Sequence, residues 1–328
     1  MTGEILVSIN CLTYNHEDYI ADAIESFLKQ KTNFKYEILI HDDASTDRTP
    51  EIIRKYEMEF PDIIKPIYQI ENQYSKGVNV SEIIRKKARG KYIALCEGDD
   101  YWTNENKLQK QVDYMEQNPE CTICFHNGHV EDQRGKGKNR LIIPWLPENK
   151  NYFKNENRKY LAGELQLLGY IPTMSILYSK RILNNPPDWY FDAPVGDNAL
   201  KLLAASYGYA YYMNEAMGIY RFNVPRSATT KWKEESKEQA VKRCNRFITM
   251  LKDFNDYTNK RHEREIELSK LTWEIQRLRL MGDYKGLKDK KFNRYLNLLN
   301  GPDKIKGYIS IYFPSFFNYG KKIKFIFR

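Results

Sequence analysis

The run Cys96-Glu97-Gly98-Asp99-Asp100-Tyr101-Trp102 sets two adjacent carboxylates directly after the short apolar stretch 91–96. Carboxylates at the mouth of a buried strand stay ionised cheaply only beside a cation. Oxygen ligands suit a hard divalent ion such as Mg2+ or Mn2+, and these ions commonly arrive with a substrate's phosphates. The bland alternative is a turn that caps the helix beginning near Glu105.

Three further places share this logic. Leu12-Thr13-Tyr14-Asn15 ends the first apolar run and suits a nucleotide base stacked on Tyr14, or else a plain turn. His41-Asp42-Asp43 follows the second apolar run. There Asp43 is placed to accept hydrogen bonds from a base N–H or a ribose hydroxyl, while Asp47 and Thr49 suit a helix cap. Pro194-Val-Gly-Asp197-Asn198 opens a helical stretch. Asp197 there is either a cap stabilised by the helix dipole or a general base, and that dipole lowers its basicity.

The elements that must position these residues alternate. Strand signals lie at 5–10, 36–41, 63–70, 92–96 and 122–125, with helical spacing at 18–30, 49–60, 79–88 and 105–117. Pro66 places the third strand at a sheet edge, and Pro50 suits the first turn of its helix. Such alternation predicts a mostly parallel sheet with helices on both faces, and ligands in such sheets bind at the carboxyl ends of the strands. Residues 131–160 read as a solvated loop, with a strand at 173–178, a helix at 196–207 and a strand at 209–213. From about 231 the spacing changes to long helices over 231–257 and 261–281. The expected organisation is a catalytic unit over 1–230, in halves of about 1–126 and 127–230, followed by a helical appendage over 231–328.

Composition narrows the classes. The 328 residues are 41% hydrophobic and 29% charged, enough for one large core or two modest ones. A net charge of +9 is compatible with a phosphorylated substrate, an anionic membrane or nucleic acid. The charge is dispersed and matches no nucleic-acid module, so nucleic acid is excluded as a partner. Cys121-x-x-Cys124 has no second pair, which favours buried thiols in a reducing compartment over a zinc or redox site. No run is long enough to span a bilayer and no signal peptide is evident, so a cytoplasmic protein is expected. Over 305–328, aromatics including Tyr308, Tyr312, Phe313 and Phe316 interleave with Lys306, Lys321, Lys322 and Arg328. That mixture suits peripheral binding to an anionic bilayer surface, or a tail packed on the helices, or a homodimer contact.

The order Thr-Tyr-Asn, Asp-Asp-Ala-Ser-Thr-Asp, Gly-Asp-Asp-Tyr-Trp and then Gly-Asp resembles the family-two inverting glycosyltransferases of GT-A fold, over roughly residues 4–225. Glu97–Trp102 followed by Lys107-Leu-Gln-Lys-Gln-Val112 is similar to its bacterial surface-polysaccharide branch. The resemblance implies a UDP-sugar donor and a glycan or lipid-linked acceptor. It implies that Asp42 and Asp43 serve the nucleotide with Thr13, Tyr14 and Asn15, that Asp100 is the main Mn2+ or Mg2+ ligand, and that Asp99 lies near the metal or ribose. Asp197 matches the catalytic base. Tyr220-Arg221 resembles a downstream element that in relatives is often followed by His and paired glycines; here the continuation is Phe222-Asn-Val-Pro-Arg226, so either Arg221 or Arg226 substitutes as the diphosphate contact or the arginine is an ordinary surface residue. Two other readings compete. A nucleotidyltransferase would want a Gly-rich basic loop after the first strand, and 12–18 offers none. A non-catalytic nucleotide-sugar or glycan-binding scaffold would leave Asp197 a mere cap.

Overall fold

The computed structural model describes residues 4–134, 140–145, 150–225, 227, 234–299 and 301–313. Its centre is β1 (Ile5–Thr13), three residues longer than the apolar run alone indicates. Val7, Ile9 and Cys11 on one face and Ser8 and Asn10 on the other are all buried, as a strand covered on both sides requires. β1 lies parallel between β2 (Lys35–Asp42) and β4 (Tyr92–Leu95), and β3 (Ile64–Tyr68) pairs parallel with β2 at the edge, where Pro66 costs no ladder bond. Helices α1 (Ile20–Leu28), α2 (Thr49–Glu59) and α3 (Val80–Lys87) connect these strands, and α4 (Lys107–Gln117) leads on into the rest of the sheet. α1 buries Ile20, Ala23, Ile24 and Phe27, the positions its spacing predicts.

Past β4 the sheet changes character. The strand order runs β3-β2-β1-β4 and then β9 (Leu177–Ser179), β6 (Cys121–Asp132), β10 (Tyr209–Phe222) and β5 (Tyr101–Trp102). β5 pairs antiparallel with β10, and β9 is wedged antiparallel between β4 and β6. β6 and β10 then resume a long parallel register from Cys121–Tyr209 to Asp132–Phe222. The long registers are thus parallel, as expected, and the antiparallel pairings are two- or three-residue joints. Residues 173–178 were expected to be one strand; 173–175 form a 3-10 turn and only then does β9 begin. The segment 131–160, expected as loop, contributes β7 (Arg140–Leu141) against β6 and β8 (Arg158–Tyr160) against β10.

Helices α5 (Ala162–Leu168), α6 (Asp188–Phe191) and α7 (Gly196–Ser206) cover this half of the sheet. Helix α8 (Lys237–Tyr257) opens on a capping box between Ser236 and Gln239. Its Phe247, Met250, Leu251 and Phe254 belong to the same buried cluster as the sheet, and Phe247 stacks on Trp273 of α9 (Glu263–Met281) at 3.8 Å. A second, smaller cluster joins α9 to α10 (Asn293–Leu298) and α11 (Gly301–Tyr312) through Ile275, Phe292, Leu296 and Ile311. Of the basic aromatic tail, α11 exposes Ile305 and Tyr308, and Phe313 follows exposed; 314–328, like Arg226, lie outside the described residues. No helix among the described residues is long and apolar enough to cross a membrane. Cys121 and Cys124 are buried free thiols, as are the other three cysteines.

Candidate active site

The strand ends β1, β2 and β4 meet at one side of the sheet, as parallel neighbours in register must. Asp43 N–H donates to Thr13 O at 3.0 Å, and Gly98 N–H donates to Leu12 O at 2.9 Å, so the end of β1 ties both acidic loops together. The approach is tight: a Cβ on Gly98 would lie 2.7 Å from Thr13 Oγ1 and 3.0 Å from His16 Nδ1. Only glycine fits there, which lets the acidic turn fold over the end of β1.

Glu97, Asp99 and Asp100 bring one carboxylate oxygen each within 4.8 Å of one another. Asp100 is buried, and burial together with the charges of Asp99 and Glu97 pushes its carboxyl well above the usual carboxylate range; Arg221 only partly opposes this. Burial, Asp99 and Asp197 push Glu97 up to about 8. Three hard oxygen donors with mutual repulsion and little countercharge are the donor set a divalent cation fits. His16 Nε2 stands 3.9 Å from Asp99, and its Nδ1 is buried with no partner. Glu97 and His16 had no assigned role from sequence. The signal for Glu97 was its place two residues before Asp99, and for His16 its place directly after Asn15.

Arg221 holds this loop from the β10 side. Its backbone N–H donates to Asp100 Oδ1 at 2.9 Å, and its buried guanidinium donates to Asp99 O at 3.2 Å, pairs with Asp22 and lies over the Tyr101 ring at 4.5 Å. Expected as a diphosphate contact, Arg221 is here engaged by protein groups and positions the acids. The turn is braced from α1, where Ser26 Oγ accepts Trp102 N–H at 3.1 Å and Phe27 packs on the Trp102 ring at 4.8 Å. Beneath it Lys107 is wholly buried, 4.0 Å over the Trp102 ring, with Nζ donating to Gln111 Oε1 at 2.8 Å; burial brings its ammonium down to about 7.

Asp43 sits at the expected strand end, yet both its oxygens are taken by backbone donors, Gln73 N–H at 2.8 Å and Tyr74 N–H at 3.0 Å. Asp42 accepts from Ser45, whose hydroxyl also accepts Asn15 N–H at 2.8 Å. Asn15, at φ 56°, accepts Thr46 N–H at 2.7 Å. Asn15 therefore couples the two loops, and Tyr14 beside it is partly buried. Thr13 is buried at the strand end, with a hydroxyl that has no partner.

Asp197 is the second residue of α7, whose N-cap is Val195 with no side-chain cap bond, so Asp197 is not the cap. Its charge reaches Glu97 and Tyr170, and Tyr170 also feels Asp100. A Cβ at Gly196 would meet nothing within 4 Å, so the space at the start of α7 is open.

The match to known proteins follows this geometry. The model of the glycosyl transferase family 2 matches residues 8–183. The chain belongs to glycosyl transferase family 2. A Mycobacterium tuberculosis protein, Rv1520, is 36% identical over 224 residues, covering 66% of this chain and 58% of the relative, so the chain spans well under two thirds of that relative's length. A Bacillus subtilis protein named as a teichuronic acid biosynthesis glycosyltransferase, TuaG, is 29% identical over 73% of this chain and 87% of its own. The crystal structure of Staphylococcus aureus TarS 1–349 in complex with UDP-GlcNAc superposes with a TM-score of 0.62 over 94% of this chain and 81% of that chain, at 15% identity. The fold is thus the GT-A arrangement of a curled α/β sheet flanked by helices.

Proposed function

We propose that this family-2 protein is a metal-dependent, inverting glycosyltransferase. It would move a hexose or N-acetylhexosamine from a UDP-sugar to a glycan or lipid-linked acceptor in surface-polysaccharide synthesis. The observation that carries the reading is the trio Glu97, Asp99 and Asp100 at a strand end, within electrostatic reach of Asp197. The name of TuaG and the UDP-GlcNAc bound to TarS support the substrate classes.

In this reading Asp100 and Asp99, with Glu97, hold Mn2+ or Mg2+, which supplies positive charge to a departing diphosphate. Tyr14 packs on the base, and Thr13, Asn15 and the Asp42–Asp43 loop shape the nucleotide side. Asp197, uncommitted to capping, takes the proton from an acceptor hydroxyl as that oxygen attacks the anomeric carbon from the face opposite the nucleotide. Attack on that face inverts the configuration. The catalytic unit comprises about 1–230, with 231–328 as helical appendage. The mixed aromatic and basic residues of 305–328 support docking on the anionic inner face of a membrane, where a lipid-linked acceptor is held.

A screen of UDP-sugars with Mn2+, read as thermal stabilisation and UDP release, is expected to single out one donor. Asp197→Asn should keep UDP affinity and lower transfer by about 10²–10⁴-fold. Turnover retained in that variant rules out Asp197 as the base, and wild-type protein that ignores every UDP-sugar rules out the donor class.

A further inference from the structure

Beside the acidic trio, three distant segments build a wall of aromatic rings. Trp145 packs edge-on against Tyr170 at 5.4 Å, Tyr220 at 6.3 Å and Phe222 at 5.8 Å, and Tyr170 lies 5.7 Å from Tyr220. All four rings are only partly buried. Tyr220 directly precedes Arg221, whose backbone N–H is bound to Asp100, and Tyr170 stands in the shared field of Glu97, Asp100 and Asp197. The wall therefore borders both the acids and the candidate base.

Trp145 is held there by construction. It follows closely on Ile142 and Ile143, whose backbone is fixed by the buried side chain of Asn127. That amide donates to Ile143 O at 2.9 Å and accepts Ile142 N–H at 3.2 Å and Ile143 N–H at 3.0 Å. Arg140 lies 4.3 Å over the Trp145 ring. Three hydrogen bonds from a buried amide are a firm anchor for the backbone just before this partly buried indole.

Flat ring faces next to carboxylates match a pyranose, which offers an apolar face of C–H bonds and a rim of hydroxyls. We propose that Trp145, Tyr170 and Tyr220 form the acceptor subsite and take the terminal pyranose of the acceptor glycan. The inference rests on the glycosyltransferase reading. The rings sit on the β6–β10 half, whereas the nucleotide residues sit at the ends of β1 and β2. That separation assigns the wall to the acceptor and not to the donor.

The test uses methyl glycosides of glucose, galactose, N-acetylglucosamine and N-acetylgalactosamine in both anomers, with UDP and Mn2+ present. Binding is read by saturation-transfer NMR and UDP affinity by calorimetry. At least one glycoside should receive saturation at its ring C–H protons. Trp145→Ala should weaken that binding about tenfold, Trp145→Phe should retain it, and UDP affinity should be equal in all three proteins. Trp145→Leu keeps apolar volume without the flat face and should behave like Trp145→Ala, which serves if the alanine variant does not fold. Wild-type protein that binds UDP but no glycoside overturns the subsite while leaving the donor reading intact. Trp145→Leu binding glycoside as well as wild type, or any of the three variants weakening UDP, also overturns it. Wild-type protein that binds no UDP with Mn2+ overturns the glycosyltransferase reading itself.

Discussion

Two acid pairs close the two parallel strands that flank β1, Asp42–Asp43 at the end of β2 and Asp99–Asp100 after β4, and their surroundings are opposite. Asp43 receives Gln73 N–H and Tyr74 N–H, one on each oxygen, and Asp42 receives the Ser45 hydroxyl. Asp100 receives a single N–H, from Arg221, and faces the charges of Asp99 and Glu97. In the first pair the chain supplies donors, and the carboxylates organise a loop. In the second it withholds them, and burial leaves charge that a bound cation can neutralise. A carboxylate's role here follows from how many donors the fold aims at it, not from its place after a strand.

The sharpest way to break this contrast is at the undersupplied pair. Asp100→Asn keeps the shape and the bond from Arg221 but removes a ligand charge. Calorimetry with Mn2+ should show UDP affinity lower by at least about a hundredfold, since even indirect support of a metal ligand is commonly worth 10–100-fold. In EDTA the variant and the wild type should bind UDP alike. Equal affinity in Mn2+ shows that the trio does not hold the cation.

The satisfied pair predicts a different readout. Asp43→Ala leaves Gln73 N–H and Tyr74 N–H without their partner. Chemical denaturation should register a loss of about 2 kcal/mol, the scale of bonds to a charged acceptor at a buried site. Unchanged stability with UDP binding lost reverses the assignment and makes Asp43 a direct nucleotide contact, as the family resemblance implies.

Local spacing carried much of the architecture. Four parallel strands, their helices and the edge position of β3 follow from apolar runs, Pro66 and helical periodicity, all properties of a few adjacent residues. The acidic turn and the helix opening at Gly196 were also legible, because Asp99, Asp100 and Asp197 each follow a punctuated element. What stayed hidden depends on partners far along the chain. The donors to Asp43 lie 30 and 31 residues away, and the Arg221 N–H that meets Asp100 lies 121 away. β9 inserts antiparallel between β4 and β6 although its short run looks like the others. The anchor that Asn127 provides for Trp145 is a tertiary contact with no local pattern. Spacing finds acids at strand ends, and only the assembled sheet decides which are neutralised from within.

The smallest expected effect sits between the two pairs. Ser45 Oγ donates to Asp42 and accepts Asn15 N–H at 2.8 Å, while Asn15 in turn accepts Thr46 N–H at 2.7 Å. Ser45→Ala therefore removes one donor from a buried carboxylate and one acceptor from the turn after β1, without creating a large void. Asp42 is already pushed upward by burial, and Ser45 is the largest influence opposing it. The expected loss is about 1 kcal/mol of stability, with UDP affinity in Mn2+ unchanged because the trio is untouched. If Ser45→Ala instead lowers Mn2+-dependent UDP binding as much as Asp100→Asn does, the two pairs act as one unit through Asn15 and the end of β1, and the division of labour between them fails.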